Sequence, residues 1–159
     1  MKMQGGKFLS FILGAEVYGI PIKESKEIIG MMEITHIPKM QNYIKGVINL
    51  RGKIIPVVDL RLRLGMEERE YDQRTCIIVV EVKTQGNQRL MGMVVDSVAD
   101  VVTIPAGDIE PPPEIGTQVE GAFLTGLGKT KERVIMLLEI DMVLNREELD
   151  KIKADVSGK

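Results

Sequence analysis

The stretch Asn49–Gly65, NLRGKIIPVVDLRLRLG, sets an arginine at a glycine turn, follows it with a nearly apolar run, and closes with a second basic run. Glycine supplies the backbone freedom a tight turn needs, and Ile and Val fit a pleated surface, so the pattern predicts a turn opening into a strand. KIIPVV is apolar at consecutive positions, which places both faces of that strand against other parts of the protein: one inside a barrel, one against a neighbouring lobe. Pro56 has no backbone donor and argues for a bulge or an edge position. Arg51 itself fits three uses: part of an active site, part of a nucleic-acid surface, or a contact for another protein.

Working outward, short runs rich in Ile, Val and Phe recur between turn signals: KFLSFILG, EVYGIPI, GVINL, TCIIVVEV, RLMGMVV, GAFLTGLG and RVIMLLEI. Their length and β-branched content predict an all-β barrel or sandwich. In KFLSFILG, Leu9, Phe11 and Leu13 share a wholly apolar face that should enter a core, while Phe8, Ser10 and Ile12 share a partly covered one. The run IKESKEIIG from Ile22 has the composition for one or two helical turns. A short C-terminal helix is expected in NREELDKIKADV, where Asn145 can cap, Glu148 follows three residues on, and Leu149 and Ile152 form an apolar stripe. The segment from Pro105 to Glu120 reads as a loop, stiffened by Pro111, Pro112 and Pro113. The two halves are loosely alike: GVINLRG into KIIPVVDL, and GAFLTGLG into RVIMLLEI, each a strand, a glycine-marked turn and a strand ending in an acid.

The chain has 159 residues, enough for one domain or two small lobes sharing a core. With 21 basic and 23 acidic residues the formal charge is -2, which offers no basic field for nucleic acid. The single Cys76 lies in an apolar run without a disulfide partner and is expected to act as a small buried hydrophobe. Ten methionines and no tryptophan leave residues such as Met91 and Met93 to fill the core. No window is long and apolar enough to span a bilayer, and the N-terminal residues lack a signal-peptide pattern, so a cytosolic chain is expected.

The chemical readings fail on their parts. His36 is the only histidine, without a nucleophile motif beside it. Asp59, Asp96, Asp100 and Asp141 each follow an apolar strand, where a carboxylate can accept backbone or hydroxyl hydrogen bonds and fix the strand's exit. TGLGKTKE resembles a phosphate loop but lacks its spacing and sits between two strands, as a hairpin turn would. A scaffold or interaction module remains, with Arg51 as an interface arginine offering five donors in a fixed fork.

The ordered elements FLSFILGAEVYGIPI, EIIG, IPKMQNYIKGVINLRGKIIPVVDLRLRLG, MGMVVDSVADV, FLTGLG and RVIMLLEIDMVL resemble the CheW family of bacterial chemotaxis coupling proteins, over about residues 7 to 145. The resemblance implies two packed five-stranded SH3-like β-barrel lobes. Lobe one would span about 15–85, and lobe two about 86–145 plus the N-terminal strand 7–14, with the C-terminal helix and tail in 146–159. It implies a non-enzymatic, cofactor-free and metal-free adaptor in the cytoplasm, joining the cytoplasmic tip of methyl-accepting chemoreceptors to the regulatory domain of a CheA-type histidine kinase. Neither nucleic acid nor direct membrane insertion belongs to that picture. The alternative is the same module in another receptor-controlled pathway, such as pilus-based motility. By residue, the resemblance places Glu27 and Gly46 at the kinase interface; Arg51, Val95 and Val98 at the receptor interface, with Arg51 near the groove between lobes; and Asn49, Gly52 and Asp59 at structural turns.

Overall fold

The apolar runs assemble into two β-sheets. The computed structural model describes residues 4–84, 87–112 and 123–144. One sheet holds β3 (Ser25–Gly30), β4 (Ile44–Leu50), β5 (Lys53–Asp59), β6 (Cys76–Thr84) and β7 (Asn87–Val95), in the order β3-β6-β7-β5-β4. The other holds β1 (Gly6–Leu13), β2 (Glu16–Pro21), β8 (Ser97–Ile104), β9 (Ile109–Glu110), β10 (Leu124–Lys129) and β11 (Val134–Leu138), in the order β8-β1-β2-β11-β10-β9. Two single-turn helices, α1 (Leu60–Arg63) and α2 (Ile140–Val143), follow β5 and β11. The chain passes from the six-stranded sheet to the five-stranded one through a 3-10 turn at Ile22–Glu24, and returns at Asp96, the one residue between β7 and β8.

These lobes divide the chain differently from the expected boundaries. β2, expected in lobe one, pairs instead with β1, Leu13 opposite Glu16, across a two-residue connection at Gly14 and Ala15, and with β11 on its other side. β7 was expected in lobe two but pairs with β6 over its whole length, from Thr84↔Asn87 to Cys76↔Val95, and also runs parallel to β5. The five-stranded lobe therefore runs from Ser25 to Val95. The other lobe has a sixth strand because the two-residue β9 pairs with β10. Ile22–Glu24 makes only one 3-10 turn before Ser25 enters β3, since Ile28 and Ile29 prefer the sheet. The C-terminal helix and tail expected in 146–159, the cap at Asn145 and Pro113 lie outside the described residues.

Each sheet buries both faces. Leu9, Phe11, Leu13, Ile20 and Leu138 of one sheet meet Val58, Ile78, Val80, Met91 and Met93 of the other in a shared core. Behind it, Ile48, Ile55, Val57, Ile77, Val79 and Val94 fill the five-stranded lobe. Phe8, Val17, Ile104, Ile135 and Leu137 fill the other. The alternation in β1 thus divides as its sequence predicts, odd positions into the shared core and Phe8 into its own lobe. Met91 and Met93 are packing residues. Cys76 is a free, half-buried thiol packed against the shared core, less enclosed than expected because it starts β6.

Gly46 marks the tightest backbone approach. Strands β4 and β5 slip register between Ile44 and Gly46, and there Thr35 forms a bridge with Val47, N–H to O distances 2.8 and 3.0 Å. A Cβ on Gly46 would lie 2.0 Å from the Thr35 carbonyl oxygen, and its φ is +138°. The prediction is that Gly46→Ala costs about 3 kcal/mol or more, because backbone has to move on both sides. Gly30→Ala, where a Cβ meets nothing within 4 Å, should stay within about 0.5 kcal/mol of the parent. Urea midpoints of the two variants check this; equal losses would show that the approach at Gly46 is not the constraint.

Candidate interaction site

Arg51 and Gly52 form the turn between β4 and β5, with Leu50 opposite Lys53. Their φ values are +52° and +91°, the sense a two-residue hairpin requires, and Arg51 accepts a left-handed conformation that costs a side-chain-bearing residue about 1 kcal/mol. Asn49 Oδ1 accepts a hydrogen bond from the Gly52 N–H at 2.8 Å, closing the turn from inside. The conformation aims the Arg51 guanidinium at Glu27 of β3. Nη2 donates to Oε1 at 2.6 Å and Nη1 to Oε2 at 3.0 Å, a two-pronged pair. Hydrogen bonding to Arg51 holds the Glu27 carboxyl below its usual range and raises the arginine in return. β3 and β4 are opposite edges of their sheet, so the pair ties the two edges together. Arg51 remains 68% exposed and open to a partner.

The other expected residues divide by depth. Asp59 is 1% exposed; its Oδ1 accepts from Leu62 N–H at 3.3 Å, capping α1, and its Oδ2 accepts from the Tyr71 hydroxyl at 2.8 Å. Burial, then that hydrogen bond, pushes the Tyr71 hydroxyl far above its ordinary range. Val95 is 1% exposed and sits in the shared core, while Val98 is half-buried against it. Gly46 is enclosed by the Thr35 backbone. Of the expected contact residues, Glu27 and Arg51 come together as a pair, although the resemblance assigns them to different interfaces. Asp141 Oδ1 accepts from Lys83 N–H at 3.2 Å, and Asp100 is held through its backbone by the Ser10 hydroxyl. Thr130 and Arg133 close the β10–β11 hairpin where the phosphate-loop resemblance lay. His36 is exposed beside the Thr35 bridge.

Three polar features go beyond those expectations, although Asp96 accepts the backbone hydrogen bond expected of a strand-exit carboxylate. Asp96 Oδ2 accepts from Gly14 N–H at 2.7 Å, Arg61 Nη1 at 2.7 Å and Arg69 Nη1 at 2.9 Å. Arg63 lies between the rings of Tyr43 and Phe123, 5.0 and 4.8 Å from their centroids. The alternation LRLR after Asp59 was the visible signal, but nothing in it names the acceptors. The third is Glu24, whose Oε1 is buried without a hydrogen-bond partner. Burial, then the Glu139 and Asp141 charges, pushes its carboxyl up to about 7, and Lys23 and Lys83 only partly offset this. A cavity of about 440 Å³ borders it, lined in part by Lys7, Lys23 and Glu139. Among the described residues, no group of three or more His, Cys, Asp and Glu side chains is placed to hold a metal ion.

Fold and site together define a two-lobed β-sheet interaction module whose polar clusters are ion pairs and turn bonds. The CheW-like domain model matches residues 7–148. The chain is 41% identical to the chemotaxis protein CheW of Klebsiella aerogenes over 145 residues, 91% of this chain and 85% of that one. It is 38% identical to the chemotaxis protein CheW of Rhizobium meliloti, covering 91% and 90%. The crystal structure of the scaffolding protein TtCheW from Thermoanaerobacter tengcongensis superposes with a TM-score of 0.80 at 36% identity, over 91% of this chain and 96% of that one. The chain belongs to the CheW-like domain family.

The Glu24 environment predicts a pH dependence. Its folded pKa of about 7 exceeds the ordinary 4.5, so the stability linked to its protonated form is complete below about 4.5 and lost as pH rises through about 7. Glu24→Gln removes that loss. Between pH 5.5 and 8 the variant should gain on the parent by on the order of 1 kcal/mol, allowing for solvent screening of a partly exposed group. Urea midpoints at the two pH values measure it; parallel curves would reject the assignment.

Proposed function

We infer that this protein is a non-enzymatic adaptor that couples chemoreceptors to a CheA-type histidine kinase in chemotaxis. The observation that carries the reading is the CheW-like match across residues 7–148. Each lobe is an SH3-like barrel. Supporting closure, the Thr35–Val47 bridge and the Glu27–Arg51 pair both join segments from opposite sides of the five-stranded sheet. In the other lobe the chain leaving β8 returns as β9 on the far edge. The partners are the kinase regulatory domain and the cytoplasmic tip of the receptors. The adaptor lies in the cytoplasm and reaches the receptor arrays through them; no helix among the described residues is long and apolar enough to cross a membrane.

Glu27 serves the kinase and Arg51 the receptor, and their pairing makes the two contacts interdependent: a receptor carboxylate that draws Arg51 away releases Glu27 for the kinase. Gly46 serves the kinase surface by shaping β4. Val95 acts through the shared core and Val98 at its margin, so their effect on receptor coupling follows from where they hold β7 and β8. Control requires that the bridged assembly favour one kinase state, since equal binding to both states gives tethering alone.

Reconstitution with receptor tips and kinase, read as phosphorylation with and without this protein, tests the function. Arg51→Gly relieves the left-handed backbone, so its melting temperature should equal or exceed the parent's, while receptor-dependent kinase stimulation falls about tenfold. Retained stimulation at limiting protein rejects the role of the guanidinium. Glu27→Lys sets two cations against each other and should lose capture of the kinase regulatory domain; normal capture rejects the kinase assignment.

A further inference from the structure

The two lobes meet through an apolar core, and apolar contact has no preferred direction. Something else has to choose the angle between them. α1, one turn long in the five-stranded lobe, sends two arginines across the seam from neighbouring positions. Arg61 is only 15% exposed and donates through Nη1 to Asp96, itself 10% exposed, which in turn accepts from the Gly14 N–H of the β1–β2 turn. Its Nε holds the Glu67 carbonyl at 2.9 Å, so the side chain is fixed at two points. Arg63 donates through Nε to the Val143 carbonyl at 2.6 Å, a C-terminal acceptor of α2, and stacks between Tyr43 of one lobe and Phe123 of the other.

We propose that α1 is a two-armed clamp that sets the angle between the lobes, with Arg61 and Arg63 as positioning residues for the coupling of their two partner surfaces. One directional tie leaves a pivot; two separated ties define an orientation. Arg61 reaches the crossover at Asp96, between β7 and β8, and Arg63 reaches α2, at the end of β11. Both acceptors are placed by the six-stranded lobe or by the chain entering it, so rotation of one lobe on the other breaks at least one bond. A planar guanidinium suits the task because its donors are fixed relative to one another. Asp59, which caps α1, and Tyr71, which holds Asp59, anchor the base of the clamp. The consequence for coupling rests on the adaptor reading; the geometric claim does not.

The test uses the full chain with Cys76→Ala and one spin label in each lobe, at Ile54→Cys and Val134→Cys, both half-exposed positions. Pulsed dipolar spectroscopy should give a single narrow distance distribution for the parent. Arg61→Gln and Arg63→Gln should each broaden it, and the pair together should widen it about twofold as a hinge is freed. Val57→Ala, which truncates the core of the five-stranded lobe away from the seam, should lower stability and leave the width unchanged. If it broadens the distribution equally, or if the folded arginine variants keep the parent width, the clamp is rejected. Capture of kinase domain and receptor tip separately should stay within about twofold of the parent while receptor-dependent stimulation falls about tenfold. Full stimulation beside a broadened distribution would reject the coupling consequence. A parent that captures neither partner would overturn the adaptor reading and leave the distance result standing.

Discussion

The structure depends on sheets that are apolar on both sides. Strand β6 shows the constraint most directly: Ile77 and Val79 fill one lobe, while Ile78, Val80 and Val82 fill the seam. A strand with one solvated face would leave either the lobe or the seam without its core. The cost of such strands is that any exposed edge is a site for unwanted pairing. Here the Thr35–Val47 bridge and the Glu27–Arg51 pair join segments at opposite edges of the five-stranded sheet, and in the other lobe the short β9 covers β10, with Lys129 and Glu110 paired across these neighbouring strands at 2.9 Å.

Burial and local turns were legible in the sequence; long-range pairing was not. The continuous run KIIPVV in β5 and the alternation in KFLSFIL announced their two-faced burial because side chains alternate every residue whatever the partner strand. In β5, Val58 enters the seam and Ile55 and Val57 the lobe, while Ile54 beside the hairpin turn stays 52% exposed. The hairpin at Arg51 and Gly52 was legible for a similar reason, since turn chemistry is local. The placing of β2 and β7 was misread because the boundary followed the family outline, while a two-residue turn and a hairpin dictated the neighbours. The Glu27–Arg51 pair joins residues 24 apart, and the Asp96 cluster gathers Gly14, Arg61 and Arg69 from three separate segments. No period in the chain encodes such meetings. Family resemblance marked Glu27 and Arg51 as important without revealing that they touch.

The polar groups at the two crossovers differ in how well they are satisfied. At Asp96 a carboxylate meets two guanidinium groups and a backbone N–H, so desolvation is matched by donors. At Glu24 the nearest charges include Glu139 and Asp141, burial of Glu139 raises its pKa as well, and Oε1 has no partner. The two passages between lobes are therefore unequal. One is held by directional bonds at neutral pH; the other carries a carboxyl that neutral pH leaves between its two forms.

The lobes repeat one plan. In each, two antiparallel neighbours lead to a parallel pair and then a hairpin: β3-β6-β7 beside β5-β4, and β8-β1-β2 beside β11-β10. The hairpins match in detail, with a register slip at Gly46 or Gly126, then an acid, Asp59 or Glu139, and then a single helical turn. What differs is the end of the first hairpin strand. The five-stranded lobe has a tight turn and a planar arginine bound by two prongs, while the other has a four-residue closure from Thr130 to Arg133 beside a lysine bound at one point. Arginine gives an oriented pair of donors and lysine a point charge with freedom to rotate. A repeated scaffold thus carries two unlike surfaces.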